Sequence, residues 1–166
     1  MAREIKTYPD PVLKKKGREI EKITQNIKDL AQEMVETMYQ NQGIGLAAPQ
    51  VGESLRLITV DVSGPDFRED LHVLINPELI QLDGETCTEE GCLSLPGFKC
   101  TVKRAEEVTV KGLAPDGTEK VIQATGLLAV CLQHEIDHLN GKVLLDHSGR
   151  MKKIMYEKKA TKRKEE

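Results

Sequence analysis

His134 and His138 stand four residues apart in the run "CLQHEIDHLNGKVLLDH" (131–147), with Glu135 directly after the first histidine. On a helix that spacing brings both imidazoles to one face, near enough to share a metal ion. A metal so held activates water and polarises a carbonyl, and a neighbouring carboxylate can move the proton, so the pattern points to metal-assisted hydrolysis. The site needs a third ligand. The extended pattern HExxHxxGxxH finds its glycine at Gly141, but its last position is Leu144, and His147 is out of register. A later glutamate would have to be Glu157, Glu165 or Glu166, all in a basic tail and poorly placed for a buried ligand.

Cys131 lies one helical turn before His134 but seven residues before His138, a rise of about 10 Å. Bonds of about 2.0–2.3 Å do not easily join one metal to both ends of that span. Cys131 therefore reads as a small, buried, apolar-behaving side chain. Cys92 is better framed. In "EEGCLSLPG" it stands between Gly91, which admits a close approach, and a tight proline-containing segment. Cys87 and Cys100 lack that framing and read as ordinary free thiols. A Cys92–His134–His138 set leaves one tetrahedral position open for water, which marks a catalytic rather than a structural metal site.

Several elements must hold these residues. Residues 24–41 carry Ile27, Leu30, Ala31, Met34, Val35 and Met38 at helical spacing, with Thr24 as N-cap and Gly43 and Gly45 as stops. Strands are expected at 55–62 and 71–80, and a hairpin from "EEVTVKGLA" and "EKVIQATG" around "PDGT". A helix from about Leu127 to Asn140, closed by Gly141, carries the histidines, and a basic helix that frays at its end follows from about Arg150. Strands in the middle with helices at both ends predict an α+β fold with mixed or antiparallel β-sheets around a central metal-binding helix. The whole of 1–166 reads as a single catalytic domain.

Composition narrows the class. The chain has 166 residues, no tryptophan, three tyrosines and two phenylalanines, so its core must be aliphatic. A formal net charge of −3 gives no global attraction to nucleic acid or membrane. The first residues lack the apolar stretch of a signal peptide, and no run is long enough to span a bilayer, so a cytoplasmic location is expected. Four cysteines are too few for a disulfide scaffold of this length.

"GIGLAAPQVG" (43–52), "EGCLSLPG" (90–97) and "QHEIDHLNG" (133–141) together resemble the three motifs of bacterial peptide deformylase, in the same order and spacing over nearly the whole chain. The resemblance implies removal of the formyl group from the N-terminal formyl-methionine of new proteins, with N-formyl-methionyl nascent peptides as substrate. It implies Cys92, His134 and His138 as metal ligands, Glu135 as proton carrier, and the Gln50 amide and Leu93 backbone N–H as oxyanion donors. It implies Fe2+ as the native metal, with Zn2+, Ni2+ or Co2+ able to occupy the purified protein. It also suggests a transient ribosome contact through the C-terminal helix. A monomer is expected.

The residues add to this. Leu127, Val130 and Cys131 stand seven, four and three positions before His134, on its face of the helix, and with Ile44 form an apolar wall suited to a methionine side chain. Leu128, Ala129 and Leu132 face elsewhere as core. Gly43 and Gly45 offer a side-chain-free edge on which a peptide could lie as an added strand. Asp137 could support the site by pairing with Arg104; His72 and His147 read as ordinary surface histidines. The alternatives are another HExxH metallohydrolase such as a peptidase, an inactive binding relative, or a structural zinc domain. An intact Glu135 and Gln50 disfavour the second, and the absence of an evident fourth ligand disfavours the third.

Overall fold

Three clusters form the core: the first two are mainly aliphatic, and the third also holds Phe98 and Tyr156. The computed structural model describes residues 2–165, with side chains through residue 162. Helix α1 (Gln25–Gln40) starts where Thr24 accepts a hydrogen bond from the Ile27 N–H at 3.4 Å. It buries Leu30, Ala31, Met34, Val35 and Met38 in the first cluster, with Leu46, Leu57 and Ile75.

Strands β1 (Gly45–Ala47), β2 (Leu57–Asp61) and β3 (Leu71–Asp83), followed after a hairpin by β6 (Glu107–Leu113) and β7 (Glu119–Thr125), form an antiparallel five-stranded sheet in the order β1-β2-β3-β6-β7. All five residues of β2 are buried, because the sheet is covered on both faces there. A single turn, α2 (Gly64–Phe67), links β2 to β3. The expected hairpin around 115–118 is β6–β7, with Leu113 opposite Glu119.

Helix α3 (Gly126–Leu139) lies on this sheet. Ala129, Leu132, Ile136 and Leu139 join Ile58, Val60, Leu74 and Val110 in the second cluster. The core role expected for Ala129 and Leu132 follows from this; a fully buried leucine such as Leu132 contributes about 1.5–3 kcal/mol. Gly141, at φ 75°, lets the chain turn away, and a Cβ there would lie 2.5 Å from the Lys14 carbonyl oxygen. Only glycine permits this close crossing of the N-terminal segment.

The structure departs from expectation in three places. Helix α1 ends at Gln40, before Gly43 and Gly45: Asn41 caps it through Nδ2–H to the Thr37 carbonyl at 2.7 Å, the left-handed residue is Gln42 at φ 59°, and Gly45 begins β1. A second sheet, the hairpin β4 (Thr86–Gly91) and β5 (Lys99–Arg104), was not anticipated. Its strands hide only alternate residues, and β4 is rich in Thr and Glu, so no apolar run announces it. Helix α4 (Arg150–Glu165) continues as helix through the stretch expected to fray.

The third cluster packs Leu95, Phe98, Cys100 and Val102 of the hairpin against Leu13, Leu144, Leu145 and the Tyr156 and Ala160 side chains of α4. Cys100 is thus a buried free thiol, although Lys99 and Thr101 on either side of it are exposed. No helix of the described residues is long and apolar enough to cross a membrane.

Candidate active site

The two sheets meet along α3, and the loop from β4 to β5 carries Cys92 to its histidines. Among the described residues, Cys92, His134 and His138 form the one group able to hold a metal ion, their ligand atoms all within 4.8 Å of one another. Cys92 Sγ lies 3.4 Å from His138 Nε2. Tetrahedral ligands at about 2.0–2.3 Å stand roughly 3.3–3.6 Å apart, so this pair already has the spacing of two ligands to one metal. Cys131 is outside this group and packs in the second cluster, as its helix position required.

The side of His134 away from Cys92 is fixed by Glu90. His134 Nδ1–H donates to Glu90 Oε1 at 2.9 Å, which leaves Nε2 as the ligand atom. Arg104 clasps the same carboxylate with two bonds of 2.8 and 2.9 Å, and Thr88 Oγ1 donates at 2.6 Å. Burial alone would push Glu90 up, but the bonds from Arg104, His134 and Thr88 outweigh it and hold its carboxyl at about 2. Arg104 also reaches Asp137 Oδ2 at 2.6 Å, which His147 contacts through Nε2 at 3.0 Å. The pairing of Asp137 with Arg104 considered from the sequence is therefore present, and His147 belongs to the same network. Glu90 was missed, although it stands two residues before Cys92. A buried acid on the strand leading into a ligand was the available signal, but it needs the β4–β5 pleat to be seen.

Glu135 is 4% exposed, and its Oε1 has no hydrogen-bond partner. Burial pushes its carboxyl up to about 7, against the pull of His134 and Arg104. Its other oxygen explains Gly45: a Cβ there would stand 2.5 Å from Glu135 Oε2 and 2.9 Å from Cys131 Sγ. Burial also drives the His138 pKa well below its ordinary value, favouring the neutral imidazole that a metal requires.

Gln50 sits on a short 3-10 turn (Ala48–Val51) and is 2% exposed. Its Oε1 accepts from the Ala47 N–H at 2.9 Å, so its Nε2 is turned to Ser94 Oγ at 3.2 Å and Cys92 Sγ at 3.5 Å. The N-terminal segment braces this arrangement, with Lys6 and Tyr8 N–H groups on the Gln50 and Ser94 carbonyls.

A cleft of about 550 Å³ opens onto these groups. Its walls include every remaining sequence candidate: Gly43, Ile44, Gly45, Leu93, Leu127, Val130 and Cys131. Leu127 is 56% exposed and stands at the mouth, whereas Val130 and Cys131 are buried, and Cys131 Sγ lies with Glu135 against Gly45.

This arrangement has counterparts. The family model described as polypeptide deformylase matches residues 2–154. A peptide deformylase of Thermodesulfovibrio yellowstonii is 54% identical over 156 residues, 94% of each chain. One from Syntrophobacter fumaroxidans is 48% identical over 98% of this chain and 96% of its own. The crystal structure of a peptide deformylase from Legionella pneumophila superposes with a TM-score of 0.92 at 44% identity, covering 99% of this chain and 96% of that one. The Ehrlichia chaffeensis peptide deformylase in complex with actinonin gives 0.90 at 37% identity, covering 98% and 97%. A match this long, over the motifs that build the cleft, means that the chain belongs to the polypeptide deformylase family.

Proposed function

We propose that the cleft hydrolyses the formamide of N-formyl-methionyl peptide ends and releases formate, with each of the residues above in a distinct role. The observation that carries this reading is the juxtaposition of an open three-ligand set with a buried, unpartnered carboxylate oxygen. Cys92, His134 and His138 hold the metal, and Glu90 with Arg104 orients His134. When bound, the metal lowers the pKa of water and polarises the carbonyl. Glu135 accepts the proton of the attacking water and returns it to the leaving amine, a task suited to a carboxyl held near neutral pH. Gln50 Nε2–H and the Leu93 N–H donate to the formyl oxygen as negative charge develops there. Gln50 is turned for this by the Ala47 N–H.

The methionine side chain enters between Ile44, Leu127, Val130 and Cys131, while the peptide backbone lies along the edge at Gly43 and Gly45 as an added strand. Fe2+ is our reading of the native metal; a thiolate ligand beside ferrous iron makes air oxidation a hazard, and Zn2+, Ni2+ or Co2+ could replace it. The enzyme acts as a single-domain monomer over residues 1–166, in the cytoplasm, where new chains begin. Helix α4, with its lysines, is the surface for a passing ribosome contact.

Formate release from formyl-Met-Ala-Ser, run anaerobically with Fe2+ and again with Zn2+, tests the reading. Activity with iron that air removes and Fe2+, Co2+ or Ni2+ restores is expected; full air-stable activity with zinc alone overturns the choice of iron. Turnover of unblocked or N-acetyl peptides in preference to formyl peptides would favour the peptidase alternative.

A further inference from the structure

The segment Gln42–Gly45 forms one lip of the cleft and is suspended between two supports. On one side the Gly43 N–H donates to the Met38 carbonyl at 2.9 Å and the Gln42 N–H to the Tyr39 carbonyl at 3.1 Å, both in the last turn of α1. On the other, the Ile44 carbonyl accepts from the Asp61 N–H at 2.8 Å, at the end of β2. The two supports are joined by one side-chain bond, Tyr39 Oη–H to Asp61 Oδ2 at 2.5 Å. Asp61 has no exposed surface, and its second oxygen accepts from the Ser63 N–H at 2.9 Å and Ser63 Oγ at 2.6 Å. The Arg68 guanidinium covers the Tyr39 ring at 4.6 Å from its centroid. Tyr39, Asp61, Ser63 and Arg68 all lie outside the cleft lining.

We propose that Tyr39 and Asp61 are positioning residues that set the height of the Gln42–Gly45 lip, and so the binding of the peptide backbone beyond the formyl-methionine. The inference rests on the reading above that the substrate lies along this edge as a strand. Strand addition needs donors and acceptors at a fixed spacing along the edge. The lip includes a non-glycine residue with positive φ, Gln42, which keeps its conformation only while both ends are held. A charge-assisted bond between tyrosine and carboxylate supplies that restraint from outside the cleft. Without it, the lip must be ordered anew at each binding event, which lowers affinity for substrates that use it.

The test compares formyl-Met amide, which barely reaches along the edge, with formyl-Met-Ala-Ser on the metal-loaded enzyme. The wild type should favour the longer peptide in kcat/KM. Tyr39→Phe should cut that advantage roughly tenfold through KM, with kcat and metal content kept. Asp61→Asn should act in the same direction, and amide exchange at Gln42–Gly45 should quicken in both variants. Val35→Ala, a core truncation in α1, should lower Tm without changing the length advantage. A wild-type advantage that Tyr39→Phe retains in full, or a loss that falls equally on both substrates, overturns the inference alone. A wild type that gains nothing from the longer peptide overturns the strand reading and this inference with it.

Discussion

Glu90 and Glu135 are both buried carboxylates beside the same histidine, and their surroundings differ in kind. Both oxygens of Glu90 are filled, by Arg104 twice, by Thr88 and by His134. Glu135 keeps one oxygen without a partner. The first is held at about 2, and the second, with burial unopposed by hydrogen bonds, is lifted to about 7. The contrast separates a carboxylate that positions from one that can trade a proton, and it needs no reference to a substrate. A residue's hydrogen-bond balance, more than its depth, decides which of the two tasks it can perform.

The largest expected break of this contrast is Glu135→Gln. The amide keeps size and polarity but cannot accept the proton, so kcat for formyl peptides should fall by about 10²–10⁴-fold. Metal content measured by atomic absorption should stay at the wild-type level; turnover within tenfold of wild type would remove Glu135 from proton transfer. Glu90→Gln should do the reverse. With His134 poorly oriented, metal affinity should fall by about 10–100-fold in a chelator competition, while kcat of the fully loaded enzyme changes far less. Equal metal retention in both variants would erase the distinction drawn here.

Val130→Phe touches neither carboxylate and probes the wall between them and solvent. Added bulk one turn before His134 should lower kcat/KM for formyl-Met peptides about tenfold, ~1.4 kcal/mol, with a smaller loss for peptides whose first residue is smaller. Equal losses for both would make Val130 core alone. The smallest effect concerns a carboxylate remote from the metal. Burial works against ionised Asp61, but bonds from Ser63 and Tyr39 prevail and depress its pKa. Its stabilising contribution is present above the unfolded value, about 3.9, and lost as pH falls through the depressed one. The Tm difference between wild type and Asp61→Asn should therefore be flat from pH 5 to 8 and shrink below about 4. Tyr39, raised by burial and then by Asp61 to about 12, should hold its contribution below about pH 10 and lose it as pH rises toward 12.

Much of the site was legible because its key spacings are local. The separation of His134 and His138 is a property of any helix, whereas the framing of Cys92 by Gly91 carried no such information: a Cβ at Gly91 would meet nothing nearer than the Phe98 carbonyl at 3.7 Å. The face shared by Leu127, Val130 and Cys131 follows from the same helical period. Glu90 and Ser94 were not legible, since their roles depend on which way a strand and a loop face once paired. The hairpin that carries Glu90 has a one-sided, mostly polar pattern, and β1 has only three residues. Nothing around Asp61 in the sequence marks it, since a tyrosine 22 residues away makes it a buried acceptor.

The third cluster draws on both ends of the chain, with Leu13 from one side and Tyr156 and Ala160 from the other closing over the loop that presents Cys92. The wall bearing the cysteine takes one part of its backing, Tyr156 and Ala160, from the final helix. A chain cut before Tyr156 keeps every ligand and the Leu13, Leu144 and Leu145 side of that backing, but loses the side that α4 supplies.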